Sequence, residues 1–450
     1  MSPTPSHIEA VARFASEVRL ADLPAEVVRA SKRCILDFIG VAIAGSQTPA
    51  ARLALGTLSE LGGAQQARVL MSGILTSVVN CSLFDGIAGH VLDYDDTHEG
   101  SLLHPSTPVL AAGLPVAEWR ERSGAELLEA HVAAVEIAAR AGLAMFPEHY
   151  DIGWHMTGTT GSIGASVAVG RLLGLNQSTL QHAIGLAATQ AAGHREQFGA
   201  MAKSLHARKA ASNGVLAGLL ASSGFTAANT SLDGRRGMLR VMSTRADPAE
   251  LTADLGERWE ILRVGLKPYA SGLVTHPAID AIRQLARRHA VQAQDVERIS
   301  VRAHPLALEL TGKRRPRSGR EAKFSLSFCV AVTLVDGAAR QRQFSDESVA
   351  RPAVRALEER VSIEAHPVLH QAEAIVTATL RDGSSLSEHV TAATGTPANP
   401  MSDAELHVKF LDLVAPVLGP AAAQRSIALV ASLENLPHVA ELVSACVAAT

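Results

Sequence analysis

The sequence predicts a mainly α protein: a large all-helical domain, completed by the C-terminal helices, plus a smaller α+β domain. Three observations carry that expectation. The first 250 residues repeat apolar positions at three- and four-residue spacing, segment after segment. After Trp259 the pattern changes to strand-like alternation mixed with helices. From about residue 399 it is helical again, and the economical reading is that this tail returns to the first domain. The expected division is 1–262 with 397–450, and 263–396. At 450 residues the chain is also too long for one ordinary core.

The elements follow in order. "PAEVVRASKRCILDFIGVAIAG" (24–45) places its apolar residues on one helical face and ends at Gly45. Similar patterns predict helices at 76–92, 107–120, 124–144, 161–173, 178–192, 205–223 and 247–254. Ala, Leu and Gly dominate them, which suits close helix–helix packing, and no fixed-length repeat is present. "VERISVRA" (296–303) and "RVSIEA" (360–365) alternate as half-buried strands do. "EAIVTATLRDGSSLSEHV" (373–390) predicts a hairpin turning at Asp382-Gly383. Helical patterns at 276–290, 322–337 and 346–359 lie between these strands, and "NPMSDAELHVKFLDLVAPVLG" (399–419) opens the tail.

Composition narrows the function classes. A net charge of -3 gives no electrostatic case for a nucleic-acid partner. The four cysteines, Cys34, Cys81, Cys329 and Cys446, form no metal-binding or redox spacing, which predicts buried thiols in a reducing compartment. "MSPTPSHIEAVARFASEVRL" has no basic segment followed by an apolar run, so no signal peptide is expected. No apolar stretch is long enough to span a bilayer. A soluble, cytoplasmic protein is the expectation.

Chemistry concentrates in four segments. "HVLDYDDTHEGSLLHPSTPVLAAG" (90–113) gathers three aspartates, three histidines and one of only three tyrosines. On a helix, Asp93, Asp96 and Thr97 would share a face and Asp95 would point away, so the three carboxylates would not converge on a metal. Three readings apply to it: a solvated helix end, a metal site, or an acid/base platform that His104 joins from the following loop. "EHYDIGWHMTGTTGSIGASVAVGRLLGL" (148–175) carries His149, Tyr150, Trp154 and His155 before a Gly/Thr-rich helix start, whose free N–H groups suit a carboxylate. "HREQFGAMAKSLHARKAASNGVLAG" (194–218) adds Arg195, Lys203, His206 and Lys209. "GLKPYASGLVTHPAID" (265–280) adds Lys267, Tyr269 and His276. Lys209 is expected on a solvated face, His206 packed rather than reactive, and His149 on a surface loop. Several cations converging with Asp and His suit a polycarboxylate. The basic run "TGKRRPRSGREAK" (311–323) reads as a solvated loop or as a mobile segment attracting an anion.

The segments "LDYDDTH…HPS", "GWHMTGTTGSIGAS", "MAKSLHARKAASNGVLA" and "KPYASGLVTHPAIDA" resemble, in this order, the motifs of the MmgE/PrpD family. The resemblance runs from about residue 8 to the C-terminal helices. It implies an all-helical domain with a smaller α+β lid, a homodimer, and activity without metal or organic cofactor. It also implies active-site positions at Asp93, Thr97, His104, His155, Lys203 and Lys267. Its members include 2-methylcitrate dehydratases, cis-aconitate decarboxylases and iminodisuccinate epimerases. All of these make or protonate a carbanion-like centre next to a carboxylate.

Catalytic roles are therefore expected for His104, His155, Lys203 and Asp93, and substrate binding for Thr97, Lys267, Tyr269 and Arg195, with no metal and no cofactor. The substrate expected is a di- or tricarboxylate. A 2-methylcitrate dehydratase-like lyase is the first expectation, an epimerase of an iminodisuccinate-like substrate the second, and a cis-aconitate decarboxylase the third. A catalytically silent carboxylate-binding or scaffold protein is the reading outside enzymes. By the resemblance, decarboxylase members carry a histidine where this chain has Gly272 and a tyrosine where it has Phe328. Many dehydratase-like members carry a cysteine pair where it reads Ala270-Ser271-Gly272.

Overall fold

The computed structural model describes residues 6–448. Met1–Pro5, the start of the stretch read as lacking a signal peptide, and residues 449–450 lie outside the described residues. From the N-terminal side come α1 (His7–Glu17), α2 (Ala25–Gly45), α3 (Pro49–Leu61), a ribbon of β1 (Ala67–Arg68) and β2 (Leu75–Thr76), and α4 (Val78–His90). Strand β3 (Thr97–His98) leads to α5 (Ser106–Trp119), α6 (Gly124–Leu143), α7 (Glu148–Ile152), α8 (Met156–Leu173), α9 (Gln177–Ala188), α10 (Ser204–Ser222) and α11 (Met238–Met242). Strand β4 (Val264–Gly265) pairs antiparallel with β3. Next are α12 (His276–His289), β5 (Val296–Ala303), α13 (Pro305–Thr311), α14 (Gly319–Ala322), α15 (Leu326–Asp336), α16 (Asp346–Ala350), α17 (Pro352–Glu358), β6 (Val361–Ala365), β7 (Ala374–Leu380) and β8 (Ser385–Val390). The chain closes with α18 (Asp403–Leu418), α19 (Pro420–Ala431) and α20 (Ala440–Ala445).

Backbone contacts divide this mainly α chain into two compact units. The first holds the residues up to Val91, Asp95–Gly265, and those from Ser402 onward; the second holds Leu92–Tyr94 and Leu266–Met401. In the first unit α8 is the central helix, packed by α5, α6, α9 and α10. Its Ala/Gly composition is what allows this. A Cβ on Gly214 of α10 would lie 2.5 Å from the Ala165 carbonyl carbon of α8, and one on Gly164 would lie 2.8 Å from Ala138 Cβ of α6. Buried Val109, Ile137, Ile163, Val167, Leu180 and Ile184 fill the spaces between these helices. No single helix among the described residues is long and apolar enough to cross a membrane.

The second unit is built on a four-stranded sheet of order β6-β5-β7-β8. Strand β5 runs parallel to β6 and antiparallel to β7. Alternation decides its faces: Ile299, Val301 and Ala303 of β5 and Ala374, Val376 and Ala378 of β7 are buried, Val296 is buried beyond a register shift in β5, and α12 and α15 pack on the sheet. The hairpin turns where expected, with Gly383 at φ 87° and Asp382 Oδ1 accepting from the Ser384 amide.

Several sequence expectations need correction. The stretch 247–254 forms only a 3-10 turn, Pro248–Leu251. The helix expected at 346–359 is broken at Arg351, because the residue before Pro352 is driven out of the helical region to ψ 122°. The consequential correction is at 91–97, where no helix continues past His90. Asp93 has φ 51°, and Lys323 Nζ and Lys267 Nζ donate to the carbonyls of Leu92 and Asp93. Those carbonyls are then committed to ammonium groups, and the left-handed residue ends any helical run.

Candidate active site

In the first unit, α4 ends on His90 and the chain turns through Asp95 and Asp96 into β3 and then α5. Asp95 is the organising group. Its Oδ2 lies 2.7 Å from His90 Nδ1 and accepts from the Thr107 hydroxyl at 2.8 Å. His104 follows on the loop, with its backbone N–H donating to Thr157 Oγ1. Its Nδ1 lies 2.8 Å from the Asp96 carbonyl and 3.3 Å from Thr97 Oγ1. A carbonyl can only accept, so Nδ1 carries the proton and, in the neutral ring, Nε2 carries the lone pair. Burial pushes the Asp96 carboxyl up to about 7, although the Ser106 amide and hydroxyl favour its ionised form.

His155 caps the start of α8, its amide held by the Gly193 carbonyl at 3.1 Å. Its ring centre lies 5.7 Å from that of His90 and 6.1 Å from that of His104, while His90 and His104 are 4.9 Å apart. Its Nδ1 meets His206 Nδ1 at 2.8 Å. Burial first, then the Lys203 ammonium and the neighbouring histidines, hold His155 well below the ordinary histidine value. Lys203 is itself buried, at the turn that opens α10, with Nζ 5.5 Å from the Phe198 ring centre. Thr97, His104, His155 and Lys203 thus belong to one unit, together with His90 and His206.

Asp93 and Lys267 belong to the second unit, both buried and paired at 3.2 Å. Tyr94, just after Asp93, donates to the Pro268 carbonyl, so the 92–94 segment is fixed on both sides of the carboxylate-bearing residue. Tyr269 is enclosed between Asp280 and Arg283, its hydroxyl donating to the first and accepting from the second. Those bonds commit its hydroxyl to the core of that unit. Arg195 stacks its guanidinium 3.9 Å over the Tyr150 ring and donates to the Tyr150 carbonyl. His149, expected on a surface loop, is fully buried between Thr159 and the Met242 carbonyl, and burial lowers it to about 4. The basic run 311–323 is neither wholly solvated nor free: Lys323 is buried on the carbonyls of Leu92 and Ala270, and Lys313 pairs with Glu321.

Residues 9–251 match the MmgE/PrpD N-terminal domain and residues 269–435 the MmgE/PrpD C-terminal domain. This chain belongs to the MmgE/PrpD family. Among its relatives is a cis-aconitate decarboxylase of Aspergillus terreus, 28% identical over 96% of this chain and 94% of the relative. A cis-aconitate decarboxylase-like protein of Aspergillus oryzae is 27% identical over 96% and 95%, and the cis-aconitate decarboxylase of Homo sapiens 25% identical over 93% and 90%.

Within this MmgE/PrpD chain, sequence reasoning gave no reactive role to two histidines that the structure brings beside His104 and His155. His90 stood in the quoted cluster but carried no role, and His206 was read as packing. The available signal was position: His90 closes one helix next to the Asp-rich turn, and His206 follows Lys203 by three residues at the start of another. The helical argument against a metal also loses its premise, since 91–97 is not helical. His90, Asp95 and His104 in fact bring ligand-type atoms within 4.8 Å of one another. Asp95 accepts from Thr107 and meets His90, while His104 Nδ1 is held on the Asp96 carbonyl, 3.6 Å from Asp95 Oδ1.

Proposed function

We propose that this protein is a polycarboxylate lyase acting by proton transfer at a carbon next to a carboxylate. The observation that supports this most is the group of three buried imidazoles, His90, His104 and His155, with ring centres 4.9–6.1 Å apart and Lys203 nearby. A C–H beside a carboxylate is weakly acidic, so the reaction needs a base and a cation for the developing charge. His104 offers an Nε2 lone pair, and His155 stays neutral near pH 7 and can exchange a proton there. Lys203 would stabilise the enolate-like intermediate, as a preorganised cation in a dry site does best. The Asp93–Lys267 pair keeps the orienting and carboxylate-binding roles that the family resemblance implies, and the protein works as a homodimer without metal or organic cofactor.

Loss of water is the first reading and loss of carbon dioxide the second. The names of the relatives favour decarboxylation. Against it stand the two positions where decarboxylase members are expected to carry His and Tyr. A Cβ on Gly272 would already sit 3.0 Å from Thr311 Cγ2, and Phe328 is fully buried, its ring centre 6.0 Å from that of Phe344. Incubating a panel of di- and tricarboxylic acids in D2O and following them by proton NMR tests the proposal. A hydroxy acid that loses water and takes deuterium beside a carboxylate is the expected result. Release of carbon dioxide would select the second reading, inversion without loss would select the epimerase, and no exchange in any acid would leave a silent binding protein.

A further inference from the structure

We propose that His206 and His155 form a neutral two-tautomer proton switch, in which His206 carries each proton between His155 and the solvent side. This rests on the reading of His155 as a proton carrier. Two ring nitrogens of the same kind face each other at 2.8 Å, and such a contact holds only if one is N–H and the other a lone pair. One proton therefore lies between them. His155 is 1% exposed and His206 7%. The His206 ring lies close to the Gly193 backbone, where a Cβ would come within 3.1 Å of it. Its next ring neighbour, centre to centre at 6.4 Å, is the exposed His194. The line from buried ring to exposed ring thus runs His155, His206, His194.

The groups around the pair explain why a switch is needed. Lys203, His90 and His104 oppose a positive charge on His155, and Lys203, His90 and His194 oppose one on His206. A lone His155 accepting a proton from carbon would become an imidazolium in a buried site already facing an ammonium. The pair avoids this. In the base form, His155 Nδ1–H donates to His206 Nδ1, and His155 Nε2 holds a lone pair. When the C–H proton passes to His155 Nε2, the C–H electron pair stays on the substrate as the enolate. The Nδ1 proton of His155 passes to His206 Nδ1, and the Nε2 proton of His206 goes to water. His155 ends neutral as an Nε2–H acid, with His206 Nδ1–H now donating to it. Reversal of the same transfers reloads the base.

The test separates this role from simple positioning. Asn at 206 can form one hydrogen bond to His155 but cannot pass a proton through itself, and Ala leaves a space for added imidazole. His206→Asn and His206→Ala are each expected to lower kcat by ~10²-fold, with KM within about twofold of wild type. Added imidazole should restore His206→Ala at least about tenfold, saturably, and leave His206→Asn unaffected. Wild-type kcat in the Asn variant would overturn the proposal, as would failure of imidazole to rescue an Ala variant whose circular dichroism is native. Nitrogen-15 NMR of the substrate-free protein adds an arm independent of turnover. A scalar coupling between His155 Nδ1 and His206 Nδ1 is expected, and its absence would remove the pair. If no polycarboxylate reacts with the wild-type protein, the lyase reading fails while this coupling still decides whether the pair exists.

Discussion

At His155 burial and neighbouring positive charge act in the same direction, and both keep the ring neutral. A neutral imidazole beside a bound anion is the form a proton-transfer residue needs at pH 7. His155→Ala and His104→Ala should therefore each lower kcat by ~10²–10⁴-fold while leaving KM nearly unchanged, because such groups act mainly in the transition state. Steady-state kinetics on the substrate found by NMR checks this; wild-type turnover in both variants would take the two histidines out of the mechanism. Lys267→Ala should raise KM as well as lower kcat, and it removes one partner of the buried Asp93 carboxylate, a loss of roughly 1–3 kcal/mol in stability by chemical denaturation. His131 gives a pH prediction of its own. It is held between the hydroxyls of Ser31 and Ser106, and burial lowers it to about 3. Between pH 6.5 and 3 the unfolded chain takes a proton there that the folded chain refuses, so this residue makes the protein less stable as pH falls. His131→Gln removes that titration. The stability difference between wild type and variant should shift by roughly 1.5 kcal/mol in the variant's favour from pH 6.5 to pH 5. An unchanged difference would mean His131 is protonated in the fold.

At the scale of elements, the site depends on how closely α8 and α10 approach. His155 stands at the start of α8, and Lys203 and His206 lie at the start of α10. A Cβ on Gly214 of α10 would come within 2.4–2.7 Å of Ala165 and Ser166 of α8. Gly214→Ala has no room for its methyl group, so the helices must separate, at roughly 1–3 kcal/mol. A lowered urea midpoint together with a lowered kcat would show both effects; unchanged values would mean the crossing is slack. The elements also show what could be read from sequence. Strand β5, the hairpin at Asp382-Gly383 and most long helices were legible because a period of 2 or 3.6 is written locally. The turn at 91–97 was not. Its Asp and Thr spacing fits a helical face, and nothing local announces that Lys267 and Lys323, far along the chain, take its carbonyls. The candidate residues were legible as types, through the clustering of His, Asp and Lys. Their partners were not, because the His155–His206 contact joins residues 51 positions apart.

At the scale of the whole molecule, the family membership and the site lead to one solution test. Exhaustive chelation followed by elemental analysis should find no stoichiometric metal and full activity. Activity lost to chelation and restored by a divalent ion would make His90, Asp95 and His104 a ligand set instead. Chain order is the other whole-molecule feature. Helix α18 packs on α2, where Lys409 and Asp37 form a buried ion pair at 2.6 Å. Removing residues 402–450 would take Lys409 from Asp37 and α18 from α2, so the shortened chain should aggregate or lose its cooperative thermal transition. A soluble chain with an undiminished transition would show the tail to be dispensable. The same order has a consequence for synthesis. The first unit cannot close when residue 265 has been made, because its last three helices are encoded after the 266–401 insertion. At ~5–20 residues per second, a ribosome spends roughly 7–27 s on that insertion. Throughout that interval the nascent chain has neither the helix that packs on α2 nor the lysine that pairs with Asp37.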